Sequence, residues 1–349
     1  MTSISKNFLQ QCHMAYPIIQ APMAGGAATP ELIACVSNLG GLGSLGAGYM
    51  QPEDIAKSIL DIHRLTKKAY SANVFVVNTP YVSPDDILET CSIIEDCAKS
   101  LAIRIPTPAP PFLPDMEKQV ETLLAFKTPI ISFTFGIPEK NILHECIKQK
   151  RIIIGTATNL EEAQAWQDQE CHAIVLQGSE AGGHRGTFLT DPLKSLHPTK
   201  ALFETCLKKI KLPLIVSGGI TQSSQIEYFI NQGAAAVQMG TAFLCTVEAG
   251  ISEIYKKTLH HQTSDNTTLT CAFSGRYARG ISNAFITCME KHSDKILPFP
   301  IQNKITKPLR VRASELENID YMSLWAGQSV TDVQYQTTEE LFRSLIKNL

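Results

Sequence analysis

The sequence predicts an α/β fold, a closed (β/α)8 barrel of the TIM type with a cap segment inserted after the eighth strand. Three observations carry that expectation. Eight short apolar runs, rich in branched side chains, alternate with helix-start signals through the first 243 residues, the pattern of parallel strands buried on both faces and joined by crossover helices. Several runs pass straight into glycine-rich polar loops, the place where such folds bind ligands. Eight strands also exceed what a single crevice in an open doubly wound sheet usually needs, which favours closure.

Pro17–Ala21 is the first strand, and Pro22-Met23-Ala24-Gly25-Gly26 turns out of it toward Thr29-Pro30-Glu31, an N-cap, an N1 proline and an acidic first turn. The helix over 31–38 ends at Gly40. Residues 41–46, Gly-Leu-Gly-Ser-Leu-Gly, match the G-x-G-x-x-G pattern, and Asp61 lies twenty residues beyond the first glycine. A dinucleotide fingerprint follows a strand and opens a helix, whereas this stretch follows a helix and itself supplies the second strand. Asp61 also falls inside the helical pattern that begins near Pro52, so the dinucleotide reading is rejected.

Strand three covers 72–77, and Ser83-Pro84-Asp85-Asp86 opens a helix. The proline-rich stretch Ile105–Pro111 cannot be helix interior and is expected to be an exposed linker before a helix near Asp115. Strand four covers 129–134, strand five 151–155, strand six 173–176, strand seven 213–217 and strand eight 235–239, with Asn159-Leu160-Glu161-Glu162 opening the helix after strand five. Residues 244–311 exceed what one connection needs and are expected to form a cap over the barrel mouth. Residues 1–243 and 312–349 then make the barrel, with helical stretches near Ser314 and Thr338 returning to close its wall.

Composition narrows the partners. The chain has 349 residues, 44% hydrophobic and 18% charged, with a formal net charge of -2, which gives no electrostatic reason to expect nucleic acid or an acidic membrane surface. A small molecule is the expected partner, and the oligomeric state stays open. Ten cysteines are scattered without a C-x-x-C pair, so free thiols in a reducing cytosol are the simplest reading, and neither zinc-ligand spacing nor a thioredoxin-like motif is present. Residues 1–16 lack a basic segment followed by an apolar run, and no stretch approaches eighteen apolar residues. The expectation is a cytoplasmic protein.

The candidate site lies in the loops after the strands. Gln177-Gly178-Ser179-Glu180-Ala181-Gly182-Gly183-His184-Arg185-Gly186 follows strand six, and His184 is its only side chain that trades a proton near neutral pH. A lone histidine in a glycine loop could also cap a helix or bind a carbonyl, so both roles stay open. Strands seven and eight end in Gly218-Gly219-Ile220 and Gln238-Met239-Gly240-Thr241, paired glycine turns that suit a phosphate, although ordinary tight turns would look the same. Asn73 and Gln177 are amides at buried strands and need partners; aimed into one barrel mouth, they would suit the donor and acceptor edge of a flavin ring.

The segments Pro17 to Gly26 (PIIQAPMAGG), Val36 to Gly43 (VSNLGGLG), Gln177 to Gly186 (QGSEAGGHRG), Ser217 to Ile220 (SGGI), Val237 to Phe243 (VQMGTAF), Phe273 to Ile281 (FSGRYARGI) and Ser323 to Gln328 (SLWAGQ) resemble the nitronate monooxygenases, formerly 2-nitropropane dioxygenases. The resemblance spans nearly the whole chain, and the QGSEAGGHRG block together with SLWAGQ is its specific part. It implies an FMN-bearing barrel that uses dioxygen to convert alkyl nitronates, propionate 3-nitronate among them, to carbonyl compounds and nitrite. Asn73, Gln177, Gly182, Gly219, Gln238, Met239, Gly240 and Thr241 then fall on FMN positions, with Pro22 and Met23 along the isoalloxazine edge. His184 falls on the histidine that faces the substrate and acts as base toward neutral nitroalkanes. Tyr277, where many relatives carry proline, and Ser217, where alanine is frequent, depart from the pattern.

A nitronate is already an anion and needs electrostatic holding, whereas a nitroalkane must first lose its α-hydrogen. The competing enzyme reading is the flavin-dependent enoyl-acyl carrier protein reductase, which shares the barrel and an AGGH loop but consumes a nicotinamide nucleotide. Gln177, Arg185 and SLWAGQ stand against it. A flavin-binding protein without turnover is the third reading.

Overall fold

The computed structural model describes residues 2–347 and Leu349. In chain order its first strands are β1 (Ile18–Gln20), β2 (Gly43–Gly46), β3 (Tyr70–Phe75), β4 (Ile130–Thr134), β5 (Ile152–Ala157) and β6 (Ala173–Gln177), followed by a two-residue β7 (Gly183–His184), β8 (Leu214–Ser217) and β9 (Ala236–Met239). All but β7 form one parallel sheet in the order β1-β9-β8-β6-β5-β4-β3-β2. A parallel bridge from Ile19 to Leu42 joins its two edges, with Gln20 N–H donating to the Leu42 carbonyl at 2.9 Å. The expected eight-stranded barrel is therefore present, its seventh and eighth strands being β8 and β9.

Strand alternation sorts the side chains into two cores. Outward residues such as Ile18, Val74, Phe133, Ile174, Val216 and Val237 pack beneath the helices. Inward residues Ile19, Leu42, Ile130, Ile154, Val175, Ile215 and Ala236 fill the barrel and meet Phe8 and Leu9 of the helix Ser3–Gln11. That helix, which the apolar pattern of the strands does not announce, closes the barrel floor. Thr2 caps it by accepting from Ser5 N–H at 3.1 Å. Truncating the fully buried Phe8 to alanine would cost about 3–5 kcal/mol, and the apolar plug leaves the opposite end of the barrel as the open one.

The Gly41 to Gly46 stretch shows why glycines recur there. A Cβ on Gly43 would strike the Ile33 backbone, and one on Gly46 would strike Met23 and Ala24. They serve close packing of a strand, and Asp61 sits within the helix Pro52–Leu65, paired with Arg64 at 2.7 Å. The proline-rich stretch carries no helix or strand and leads to Asp115, the N-cap of the helix Met116–Ala125.

The region after β9 contributes β10 (Thr267–Thr270) and β11 (Ala278–Ile281), which pair antiparallel. β11 also pairs with β7, setting Ala278 opposite His184. The helix Thr338–Leu345 returns to the barrel wall as expected, with Phe342 edge-on to Tyr16 at 6.0 Å. The stretch near Ser314 does not close the wall: it ends the helix Lys307–Glu315, whose residues border the cavity described below. The expectation of ten free thiols is also corrected. Cys97 and Cys288, 191 residues apart, form a disulfide between the helices Pro84–Cys97 and Ala284–Glu290, while the other eight cysteines are free. No spacing motif marks a pair that only the tertiary fold brings together. Among the described residues, no helix is long and apolar enough to cross a membrane.

Candidate active site

One residue pair above the apolar floor, the inward face turns polar. Ser132, Thr156, Gln177, Ser217 and Gln238 each lie two residues beyond an apolar floor residue, so the same alternation that buries Ile130, Ile154, Val175, Ile215 and Ala236 aims them at the mouth. They border a cavity of about 1140 Å³. Pro22, Met23, Asn73, Gln177, Gly182, His184, Gly219, Gln238, Met239, Gly240 and Thr241 all border it too. These residues, from seven of the eight barrel strands or the loops just after them, thus meet in one chamber.

Their roles within it differ. Asn73 donates through Nδ2 to the Ser132 and Thr134 hydroxyls, both at 3.0 Å, so its partners are neighbouring side chains on β4. Gln177 is held by its own loop: Nε2 donates to the His184 carbonyl at 2.9 Å and Oε1 accepts from Gly186 N–H at 2.8 Å. The Met239 side chain packs into the outer core at 1% exposure, so this residue borders the cavity from its backbone side.

The glycines divide in the same way. A Cβ on Gly182 would come within 2.5 Å of the Ala326 and Gly327 backbone, so its bareness lets the Trp325–Ser329 loop close down. Gly219 has φ +68° and would also crowd Glu180 at 3.0 Å. At Gly240, by contrast, an added Cβ meets only Ala21 at an ordinary 3.7 Å. The Trp325–Ser329 loop locks onto both turns: Ser329 Oγ donates to the Gly219 carbonyl at 2.9 Å, and Gly327 N–H donates to Thr241 Oγ1 at 3.0 Å. Sequence reasoning marked SLWAGQ without seeing that Gly327 within it and Ser329 just after it clamp turns 86 and 110 residues away.

His184 sits between aromatic rings, with centroids 5.3 Å from Trp325, 5.9 Å from Phe299 and 6.0 Å from Phe135. Its Nε2 is buried and has no hydrogen-bond partner. Burial, with Arg276 and then Arg310 adding repulsion, pushes its pKa down to about 3. The imidazole is therefore neutral at pH 7, a proton acceptor that carries no positive charge. Arg185 beside it is a support: fully buried, it donates to the carbonyls of Gly178 at 2.5 Å, Gln177 at 3.0 Å and Ser195 at 3.2 Å. Tyr277 is not among the residues bordering the cavity; its carbonyl accepts from Arg185 N–H at 2.8 Å. Ser217 does border it.

Two residues bordering the chamber, Tyr49 and Arg310, escaped sequence reasoning, as did Phe299, which packs on the His184 ring. Tyr49 lies three residues past β2, where the strand-end rule could have found it. Phe299 and Arg310 come from the inserted region, and no local pattern announces where that region folds back.

The family model described as nitronate monooxygenase matches residues 6–348. The chain is 36% identical over 338 residues to a protein named "Probable nitronate monooxygenase" from Staphylococcus saprophyticus, covering 96% of this chain and 95% of that one. It is 35% identical over 334 residues to one of the same name from Bacillus subtilis, covering 96% and 94%. Among solved structures it is similar to nitroalkane oxidase from Streptomyces ansochromogenes, with a TM-score of 0.89 and 30% identity over 98% of this chain and 97% of that one. FabK from Thermotoga maritima, at TM-score 0.77 and 23% identity over 98% and 94%, shares the fold.

Proposed function

Because the chain belongs to the nitronate monooxygenase family, we propose that it uses FMN and dioxygen to oxidise alkyl nitronates, propionate 3-nitronate among them, to carbonyl compounds and nitrite. The observation that carries this reading is a neutral histidine whose unpartnered Nε2 is buried beside a large, polar-floored cavity. A cavity of about 1140 Å³ exceeds the roughly 300–1,000 Å³ of an ordinary ligand pocket, enough for a flavin and a small substrate together.

The residues fit FMN. Gly219 and Gly240 lie just past adjacent strands, and a Cβ on Gly240 would meet only Ala21, at 3.7 Å, so its backbone is accessible to a phosphate from the cavity side. Asn73, Gln238 and the hydroxyls of Ser132, Thr134, Thr156 and Ser217 supply polar contacts for a flat heteroaromatic ring, and Pro22, Met23 and Gly182 border the same space. When bound, FMN supplies the electron acceptor and passes electrons on to dioxygen.

The chain's own residues handle position and protons. For a neutral nitroalkane, His184 Nε2 takes the α-proton; a nitronate arrives without it. Phe135, Phe299 and Trp325 exclude water from the imidazole. Gln177 and Arg185 fix the loop that carries it. Residues 244–311 act as the cap on a barrel of 1–243 completed by the helix Thr338–Leu345, because β11 pairs with the His184 strand and Phe299 packs on its ring.

Steady-state oxygen uptake by the purified yellow protein tests the reading. Oxygen consumption with nitrite release from propionate 3-nitronate is expected. Turnover of NADH with an enoyl thioester in its place would assign the enoyl reductase activity, and neither reaction would leave a flavin-binding protein without turnover.

A further inference from the structure

The nitronate reading asks for a positive group to hold an anion, and His184 cannot supply it. Arg310, on the helix Lys307–Glu315, borders the cavity. Its Nη2 donates to the carbonyl and the side-chain oxygen of Asn303, at 2.8 and 3.0 Å, while its buried Nε has no acceptor. No carboxylate pairs with it among the described residues. A sheltered guanidinium facing neutral partners alone is costly, and an anion in the chamber relieves that cost.

A second orphan stands near it. Tyr49 Oη is buried without a partner, and its ring lies 6.4 Å from Phe299, the same ring that touches His184 at 5.9 Å. Burial pushes the Tyr49 phenol up to about 12, so it serves as a neutral donor. Arg276, the other cation close to His184, is already committed to the carbonyls of Arg185 and Thr187, stacks over Phe135 at 4.0 Å, and does not border the cavity. Lys304 and Lys307 border the cavity beside Arg310; Asp54 and Asp61 border it too, Asp61 being paired with Arg64.

We propose that Arg310, assisted by the Tyr49 hydroxyl, holds the planar oxyanion of the substrate and sets the preference for nitronates over neutral nitroalkanes. The inference rests on the nitronate reading for its substrate, but the anion site itself does not depend on turnover. A guanidinium fork matches two oxygens in one plane, which a nitronate, a carboxylate and nitrate all present.

Nitroethane and ethylnitronate differ by one proton, and nitrate is an unreactive planar oxyanion, so the three probe charge at nearly constant shape. In the flavin-loaded protein nitrate should inhibit ethylnitronate oxidation competitively and release heat on calorimetric titration. Arg310→Met should raise the ethylnitronate KM and the nitrate inhibition constant by about tenfold to a hundredfold, the range for a lost charge-assisted contact. Inhibition by nitroethane should change less than about threefold, and Arg310→Lys should recover part of the nitrate affinity. Unchanged nitrate binding in Arg310→Met overturns the proposal. If that variant does not fold, Tyr49→Phe and Arg310→Lys decide: weaker nitrate binding with unchanged nitroethane inhibition supports the anion site, and no change in either variant overturns it. If the intact protein turns over no nitronate while nitrate still binds through Arg310, the function proposal fails and the anion site stands.

Discussion

Gln177 and His184 are tied together: the Gln177 amide donates to the His184 carbonyl at 2.9 Å while accepting from Gly186 N–H at 2.8 Å. The end of β6 thus holds the loop on both sides of the histidine. Gln177→Leu removes both bonds and leaves a backbone donor and a backbone acceptor without partners in a half-buried setting. The expected loss is about 1–3 kcal/mol of stability for each group left unsatisfied, read as a lower midpoint in urea unfolding. Turnover per bound flavin should fall as the imidazole loses its fixed position. An unchanged midpoint would mean that other contacts hold the loop.

His184→Asn separates the proton-transfer role from a structural one. Turnover of neutral nitroalkanes should drop by about 10² to 10⁴, the usual worth of a general base. Nitronate oxidation should fall tenfold or less, because that substrate brings no α-proton to remove and Arg310 still faces it. Both rates are to be measured per bound flavin. Equal losses for the two substrates would identify a structural loop histidine instead.

Period-two alternation is strictly local, which is why so much of the barrel could be read from sequence. Runs such as Ala173–Leu176 placed the strands, and the residues just past them, Gln177 and the turns at Gly219 and Gly240, proved to border the cavity. What stayed hidden depends on distant chain returning. Arg310 reaches the chamber from a helix whose sequence, Lys307–Glu315, shows no strand-end context. Phe8 closes the floor from a helix before the first strand, and Cys97 finds Cys288 across 191 residues. The amide of Gln177 borders the cavity where the pattern put it, and the two loop bonds it makes could not be read from that pattern. Position was readable from pattern; partner choice required the fold.

The two glycines proposed for the phosphate site, Gly219 and Gly240, should respond differently to a single methyl group. Gly240→Ala meets only Ala21, at 3.7 Å, so the fold should tolerate it, and any loss must come from a ligand occupying the open space. Gly219→Ala adds strain at φ +68° and a contact with Glu180 at 3.0 Å, costing on the order of 1 kcal/mol or more in stability as well. The flavin released on denaturation should be FMN, identified by chromatography. It should be depleted in both variants, with the melting temperature lowered mainly in Gly219→Ala. Full flavin content in Gly240→Ala would remove this turn from the phosphate site, and recovery of mainly FAD would remove the monophosphate assignment.

Acid stability offers a test of the His184 environment that needs no substrate. The folded-state pKa of about 3 lies below the ordinary value of 6.5, so between those two pH values the unfolded chain binds a proton that the native chain refuses. Stability from this group is therefore complete above about pH 6.5 and is lost progressively as pH falls toward the folded value. The slope is at most about 1.4 kcal/mol per pH unit, which amounts to roughly 2 kcal/mol between pH 7 and pH 5. An asparagine at the same position does not titrate. Urea unfolding of the native protein and of His184→Asn at both pH values isolates the effect, since every other histidine contributes equally to the two proteins. The native protein should lose more stability than the variant on acidification, and nitrate should reduce the difference by shielding His184 from Arg310, one of the two cations that repel its proton. Parallel losses in the two proteins would show that His184 protonates freely while folded, and the neutral-base assignment would then fail with it.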